Sequence, residues 1–358
     1  MAPYVFLLVY ILLLACFLMG KHIERKVFVY LSFVPIVFLL AFRAESVGED
    51  TAGYIRIARE IRNIPFRQII SEFPRTTITR RGYLVTRIET FFALYCKVLL
   101  VIFKSEYVIV PITSIITGVL MARFVYLNTK YVYQAILVYL CESSFMLTFN
   151  AIRQFLAISI ALQAIPLCKE KKYKKAVALV LLSSLFEISA ICYLILILFY
   201  MIKDKKRLFY FVIIGACFIE TILPIMSKIV GRFSKYYAFY FTSHYWDISV
   251  KGALLFILFI VASLIYVCFC KMDKKQEDYI LMSCIVLFLA LEILGWRYTM
   301  LQRLAWYFRV MLIIYLPRIY DFCNKRNYIV YMFILNALLF GSYFSYANSS
   351  SRIYSLIF

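Results

Sequence analysis

Nine arginines and no lysine stand between residues 43 and 90: Arg43, Arg56, Arg59, Arg62, Arg67, Arg75, Arg80, Arg81 and Arg87. A guanidinium grips phosphate or carboxylate through two parallel hydrogen bonds and stays charged when desolvated. Such a stretch points to an anionic ligand, or else to a cytoplasmic loop that merely follows the positive-inside rule. It opens with Arg43-Ala-Glu-Ser-Val-Gly48-Glu49-Asp50-Thr51-Ala-Gly53-Tyr54. Gly48 permits a tight turn, Asp50 and Thr51 can cap a helix, and 54–62 is amphipathic. Arg43 on a phosphate, with Asp50 or Glu49 as general base, is one reading; Asp50 as a plain N-cap is the other.

Two further charged residues lie inside apolar sequence. Arg153, in Asn150-Ala-Ile-Arg153-Gln154, opens an apolar run where a charge is costly and usually has a task. A salt bridge to Glu142 and a contact with substrate both satisfy that demand. Glu187, in Phe186-Glu187-Ile188-Ser189, must be paired, protonated or catalytic at such depth. Desolvation raises a carboxyl's pKa towards neutrality, which suits a general base, while pairing with an arginine would make it a packing acid. From Arg232 through Tyr237 to His244-Tyr245-Trp246-Asp247 runs an aromatic stretch whose rings can stack on sugars or form an interfacial belt. Trp296-Arg297-Tyr298 and Arg303 repeat the pairing of arginine with aromatics. The two histidines, His22 and His244, are isolated, and neither a phosphate-binding GxxxxGK[ST] loop, a metal-ligand cluster nor a Gx[ST]xG elbow occurs. ATP-driven transport and hydrolase chemistry therefore find no support.

The elements that must position these groups are membrane helices. The chain is 64% hydrophobic and 16% charged, with a mean hydropathy of +0.85; a soluble domain is nearer half apolar and a quarter charged. With lipid as solvent, backbone polar groups must be satisfied within helices. The formal charge of +21 sits in short clusters between apolar runs, as topology signals rather than a nucleic-acid surface. Ten cysteines are scattered through apolar sequence without CxxC and behave as small hydrophobes. The first apolar run, from Tyr4 to Gly20, lacks a basic leader and is expected to stay as an uncleaved span.

Runs near the ~20 residues needed to cross a bilayer occupy 4–20, 27–42, 107–126, 132–149, 152–168, 208–230, 252–270, 279–296, 304–320 and 328–346. Segments 83–103, with Arg87, Glu89 and Lys97, and 176–200, basic at both ends, are awkward. Placing every lysine cluster in the cytoplasm makes those two segments broken or re-entrant, with both termini outside; the alternative is twelve plain spans and one violated loop. The expectation is an all-α, polytopic transmembrane helical bundle of ten to twelve membrane segments. It forms a single integral membrane domain over 1–358, with an Arg-rich outer loop at 43–82 and an aromatic outer loop at 231–250. A short polar stretch at about 297–303 also faces outward.

The order Arg43…Val47-Gly48-x-Asp50-Thr51…Tyr54 resembles the opening signature of the EpsG-type family, Wzy-like polymerases of O-antigen, capsule and exopolysaccharide. Gly82-Tyr83-Leu84 resembles that family's Gly-aromatic lead into its next helix. Asn150-x-x-Arg153-Gln154-x-x-Ala157 resembles its "iRQ-x-iA" helix, and the lysine-rich 169–175 followed by Phe186-x-x-Ser189-Ala190 resembles its "FHxSA" element. The resemblance covers most of 1–200. Glu187 stands where the family usually has His, and Arg80 and Arg81 replace an acidic residue before the Gly-aromatic pair.

The resemblance implies a GT-C-like architecture and a polymerase at the outer face of a bacterial plasma membrane. Its substrates would be oligosaccharide repeat units on undecaprenyl diphosphate, within membrane lipid, with a chain-length regulator and a flippase as partners. It implies Arg43, Arg153 and Arg297 on diphosphate, then Arg303 and Arg81. Asp50 is first choice as base or acceptor positioner and Glu187 second, with Tyr54, Tyr237, Trp246 and His244 at sugar. Neither metal nor nucleotide is required, because the lipid diphosphate supplies the activation. Two other classes stay open: a flippase for the same lipid-linked oligosaccharide, which would show an Arg-lined cavity reachable from both faces, and a membrane O-acyltransferase, which usually wants a site histidine.

Overall fold

Apolar segments that find no water for their amides close their hydrogen bonds internally, and helices dominate the chain accordingly. The structure is a computed structural model that describes residues 2–48, 50–78, 84–233, 250–347 and 354–355. Among these, five helices are long and apolar enough to cross a membrane: Ala2–Met19, Glu106–Asn128, Ile152–Lys169, Gln276–Gly295 and Lys325–Ser345. Each answers an expected span. The expected 132–149 and 208–230 are bent pairs, Val132–Cys141 with Ser144–Asn150 at 48° and Lys205–Cys217 with Ile219–Ile225 at 63°, which raises the number to seven if each pair is one span. The expected 27–42 and 252–270 are the continuous helices Arg25–Ala41 and Val250–Phe269, and other expected segments are interrupted. The 304–320 stretch divides into Thr299–Arg309 and Leu312–Arg318, and 176–200 breaks at Glu187 as its buried charge foretells. Phe6, Leu13, Phe211 and Phe333 are largely exposed, an arrangement that lipid rather than water favours.

The chain forms two compact units, one of 1–191 with 340–358 and one of 192–339. The first begins with α1 (Ala2–Met19) and α2 (Arg25–Ala41). It continues with α3 (Thr51–Arg62) and α4 (Phe66–Glu72). The Arg-rich 43–82 stretch is thus largely structured, and α3 is the amphipathic helix the sequence announces, burying Ile55, Ile57, Ala58 and Ile61. A two-stranded antiparallel ribbon follows, β1 (Arg75–Ile78) with β2 (Leu84–Ile88), pairing Arg75 with Ile88 and Thr77 with Thr86. Threonine, valine and isoleucine at these positions suit a pleated backbone, and β2 takes the first part of the expected 83–103 membrane segment. Its remainder is α5 (Thr90–Phe103).

Then come α6 (Ile109–Asn128), α7 (Val132–Cys141), α8 (Ser144–Asn150) and α9 (Ile152–Leu162). After α10 (Ala164–Lys169), α11 (Tyr173–Phe186) leads into a 3₁₀ turn at Ile188–Tyr193. Helix α6 packs on α2 and α9, and α9 on α11. A Cβ on Gly118 of α6 would collide with Val37 Cγ2 of α2, so the residue permits their close approach. Ser114 Oγ donates to Leu40 O at 3.1 Å across the same contact. The chain's end returns to this unit: Ala44 N donates to Ser355 O at 2.8 Å, and the Tyr354 ring meets Tyr4 edge-on.

In the second unit, Gln276–Gly295 packs against Thr299–Arg309 and Lys205–Cys217. Tyr193 Oη donates to Tyr307 O at 2.8 Å, and Arg318 Nε to Asp278 Oδ1 at 2.5 Å.

Candidate active site

Three interruptions of regular structure converge in the first unit, and each carries a charge. Glu89 occupies the N-cap of α5 in extended geometry, φ −70° and ψ 144°. Arg153 is the second residue of α9, just past the break at Ala151 with φ −93° and ψ 55°. Glu187 follows α11 with φ −147° and ψ 110°. Extended residues at helix ends let a side chain leave the helix's own face, which an uninterrupted helix would not allow. The Arg153 guanidinium lies 2.5 Å from Glu89 Oε2 through Nη1 and 2.7 Å from Glu187 Oε2 through Nη2. Their side chains are 10%, 12% and 6% exposed, so charge partners rather than water must hold the ions.

Aromatic rings surround the cluster. Arg153 sits over Phe92 at 5.8 Å, and Phe92 contacts Tyr54 edge-on at 6.0 Å. Phe186, immediately before Glu187, packs on Phe91 at 4.9 Å and Tyr95 at 5.7 Å. Ser189 Oγ donates to Glu187 Oε1 at 3.2 Å.

Arg43 lies at the other side of the same α8–α9 break. It is 1% exposed, and all three guanidinium nitrogens bond to neutral oxygens. Nη2 donates to Phe149 O at 3.1 Å, Nε to Thr51 Oγ1 at 3.1 Å, and Nη1 to Leu40 O. A helix leaves its last carbonyls without intrahelical donors, and Arg43 serves those ending α2 and α8. Gly48 makes this approach possible: its φ is +85°, and a Cβ there would stand 2.7 Å from Phe149 O. Thr51 Oγ1 donates in turn to Val47 O at 2.7 Å.

Of the residues singled out in the sequence, Tyr54, Arg153 and Glu187 fall in one cluster, while Arg43 bonds to Phe149 O, ahead of the same helix break. Asp50 occupies the N-cap of α3 without a side-chain capping bond, its carbonyl accepting from Tyr54 N at 3.0 Å. Arg297 and Arg303 belong to the second unit. Arg297 is exposed, pairs with Glu220 at 2.9 Å and lies over Tyr298, whereas Arg303 is half-buried in its helix. Arg81, Tyr237, His244 and Trp246 lie outside the described residues. For Arg153 the salt-bridge partners are Glu89 and Glu187, while Glu142 accepts from Ser144 Oγ at 2.7 Å. Glu89 stands out in the sequence only as an acid costly at membrane depth. That cost is itself the signal, since such an acid needs a cationic partner. The second unit holds a comparable buried pair, Arg309 with Glu292 at 3.4 Å.

Long apolar helices, with arginine–carboxylate pairs buried among the described residues, define a multi-pass membrane protein. The sequence matches the EpsG family over residues 26–357, nearly its whole length, and the chain belongs to that family of bacterial membrane proteins. No curated protein and no solved structure matches the chain.

Proposed function

We propose that this chain is a glycosyltransferase of the polymerase type, joining lipid-linked oligosaccharide repeat units into a surface polysaccharide. The reaction takes place at the outer face of the bacterial plasma membrane, with undecaprenyl diphosphate as the carrier released. Membership of the EpsG family supports the class, and the buried Arg153 held between Glu89 and Glu187 carries the chemistry.

A hydroxyl oxygen of the acceptor unit bonds to the donor's anomeric carbon. The bond from that carbon to the diphosphate oxygen breaks, its electron pair leaving on the diphosphate, and the hydroxyl proton passes to a carboxylate. The protein must supply positioning, a proton acceptor and positive charge where the leaving group gathers negative charge. Arg153 supplies that charge: its carboxylate partners can be exchanged for phosphate oxygens of matching geometry. Arg297, Arg303 and Arg81 are further candidates for the diphosphate. Glu187 lies against Arg153 and is placed to take the proton, with Asp50 the alternative base or the positioner of the acceptor. Tyr54, Tyr237, Trp246 and His244 are assigned to sugar. Arg43, which bonds to two of the protein's own carbonyls and to Thr51 Oγ1, is assigned to holding the site's frame as a positioning residue.

A size-separated gel of surface polysaccharide from a deletion strain tests the proposal. The expected result is a ladder collapsed to one lipid-linked repeat, restored by wild type and not by Arg153→Ala. An unchanged ladder with altered acetyl content would mean an acyltransferase, and repeats trapped inside the cell would mean a flippase.

A further inference from the structure

We propose that α4 and α5 lie along one membrane face and enter a single leaflet without crossing the bilayer. Phospholipid is the partner of their exposed apolar side, and the inference stands apart from the reaction proposed above. Helix α5 has 14 residues, about 21 Å of helix against a hydrocarbon core of about 30 Å. One side buries Phe92, Cys96, Leu99 and Leu100, and the other leaves Val98, Val101, Ile102 and Phe103 exposed. Helix α4 packs on α5, with the Lys97 ammonium of α5 5.8 Å from the centre of the Phe66 ring. It adds Phe66 and Ile70 to the exposed apolar residues, Ile70 at 63%. A patch of this kind marks a contact surface.

Helix α3 fixes the depth. It packs on α5, from Tyr54 against Phe92 to Arg62, which donates to Lys104 O at 2.7 Å and pairs with Glu106. Glu106 opens the span Glu106–Asn128, so this end of α3 lies at a membrane face. Nearer its other end, Ile55 packs on Val110 of the same span. Glu45, just past α2, accepts from Tyr107 Oη at 3.0 Å and faces Arg59 at 3.9 Å. Both halves of α3 therefore stay beside the first turns of that span. Its exposed residues include Arg56, Arg59 and Glu60, charges that hydrocarbon excludes and headgroups or water accept. A layer charged through α3 and apolar through α4 and α5 suits the interface, where an apolar face sinks a few Å into lipid. Arg67 follows Phe66 and Lys104 follows Phe103, both exposed. Phospholipid supplies chains for the apolar residues and phosphates for these cations, whereas a second copy of this face would bring like charges together.

The test uses the full chain in liposomes containing phospholipid brominated on its acyl chains. Ile70→Trp and Ile102→Trp replace exposed residues and leave the core untouched, and Phe66→Trp is a conservative third variant. The fluorescence each adds to that of the native tryptophans should be quenched by bromine near the headgroup, and less by bromine at the chain ends. Glu60→Trp on α3 should escape both. An impermeant maleimide, located by peptide mass spectrometry, should reach Ala52→Cys and Asn63→Cys, at the two ends of α3, from the same side of sealed vesicles. Added fluorescence that bromine leaves unquenched, as a face covered by protein would give, overturns the proposal. So do quenching strongest from the chain ends, quenching of Glu60→Trp equal to that of the others, and labelling of the two cysteines from opposite sides.

Discussion

Arg43 and Arg153 lie on either side of one helix break, both almost wholly buried, yet they are bound in opposite ways. Arg43 donates to two backbone carbonyls and a hydroxyl; Arg153 faces two carboxylates. Carbonyls at helix ends are fixed, neutral and need a donor at all times, so an arginine spent on them ties segments together. Carboxylates resemble the phosphate oxygens of a substrate in charge and geometry, so an arginine held by them is poised for exchange. Burial is common to both; the chemistry of their acceptors is what differs.

The largest effect should come from Arg153. Arg153→Ala leaves two buried acids without their cation and should lower polymer formation by about 100-fold or more, the scale of losing a donor aimed at developing charge. Arg153→Lys keeps one charge but cannot span both carboxylates, and should still cost at least ~10-fold in a polymerisation assay. Normal polymer from the lysine variant would remove Arg153 from the site.

Arg43→Ala should act on the fold. Three buried hydrogen bonds go, although Leu40 O keeps Ser114 Oγ and Phe149 O keeps Thr51 Oγ1; a loss of about 1–3 kcal/mol is expected, read as a lower melting temperature and less protein in the membrane fraction. Activity per folded molecule should remain near wild type. A well-folded Arg43→Ala chain that makes no polymer would erase the distinction between the two arginines.

Gly48→Ala probes the same tie more gently. A left-handed φ and a Cβ pressed on Phe149 O should destabilise by about 1–3 kcal/mol, again with activity per molecule retained. The smallest change in stability should follow Arg297→Ala. Its exposed pair with Glu220 is of a kind that contributes little, so no measurable shift in melting temperature is expected, and any loss of polymer would report on the diphosphate directly.

Much of this frame is legible in the sequence because hydropathy is local. Five spans coincide with uninterrupted apolar runs, and the break at Glu187 is announced by an acid within such a run. The amphipathic pattern of 54–62 likewise gives α3 before any contact is known. Partner choice is not local. Arg153 lies 64 residues from Glu89, 34 from Glu187 and 11 from Glu142, and chain distance offers no reason to prefer the first two. Only the convergence of three breaks does. The work of Arg43 was hidden for the same reason, since its acceptor at Phe149 is a backbone carbonyl freed by a kink that no side chain advertises. The ribbon of β1 and β2 is not legible because two short strands leave too little alternation to outweigh the apolar run that follows.

The central claim is that Arg153, bound between two carboxylates, serves the departing diphosphate. Its most direct measurement is the rate of polymer formation from purified lipid-linked repeats in liposomes containing either wild-type chain or Arg153→Lys, at equal amounts of folded protein. Extended chains from wild type and little beyond single repeats from the variant are the predicted result. Equal chain growth from both would contradict it.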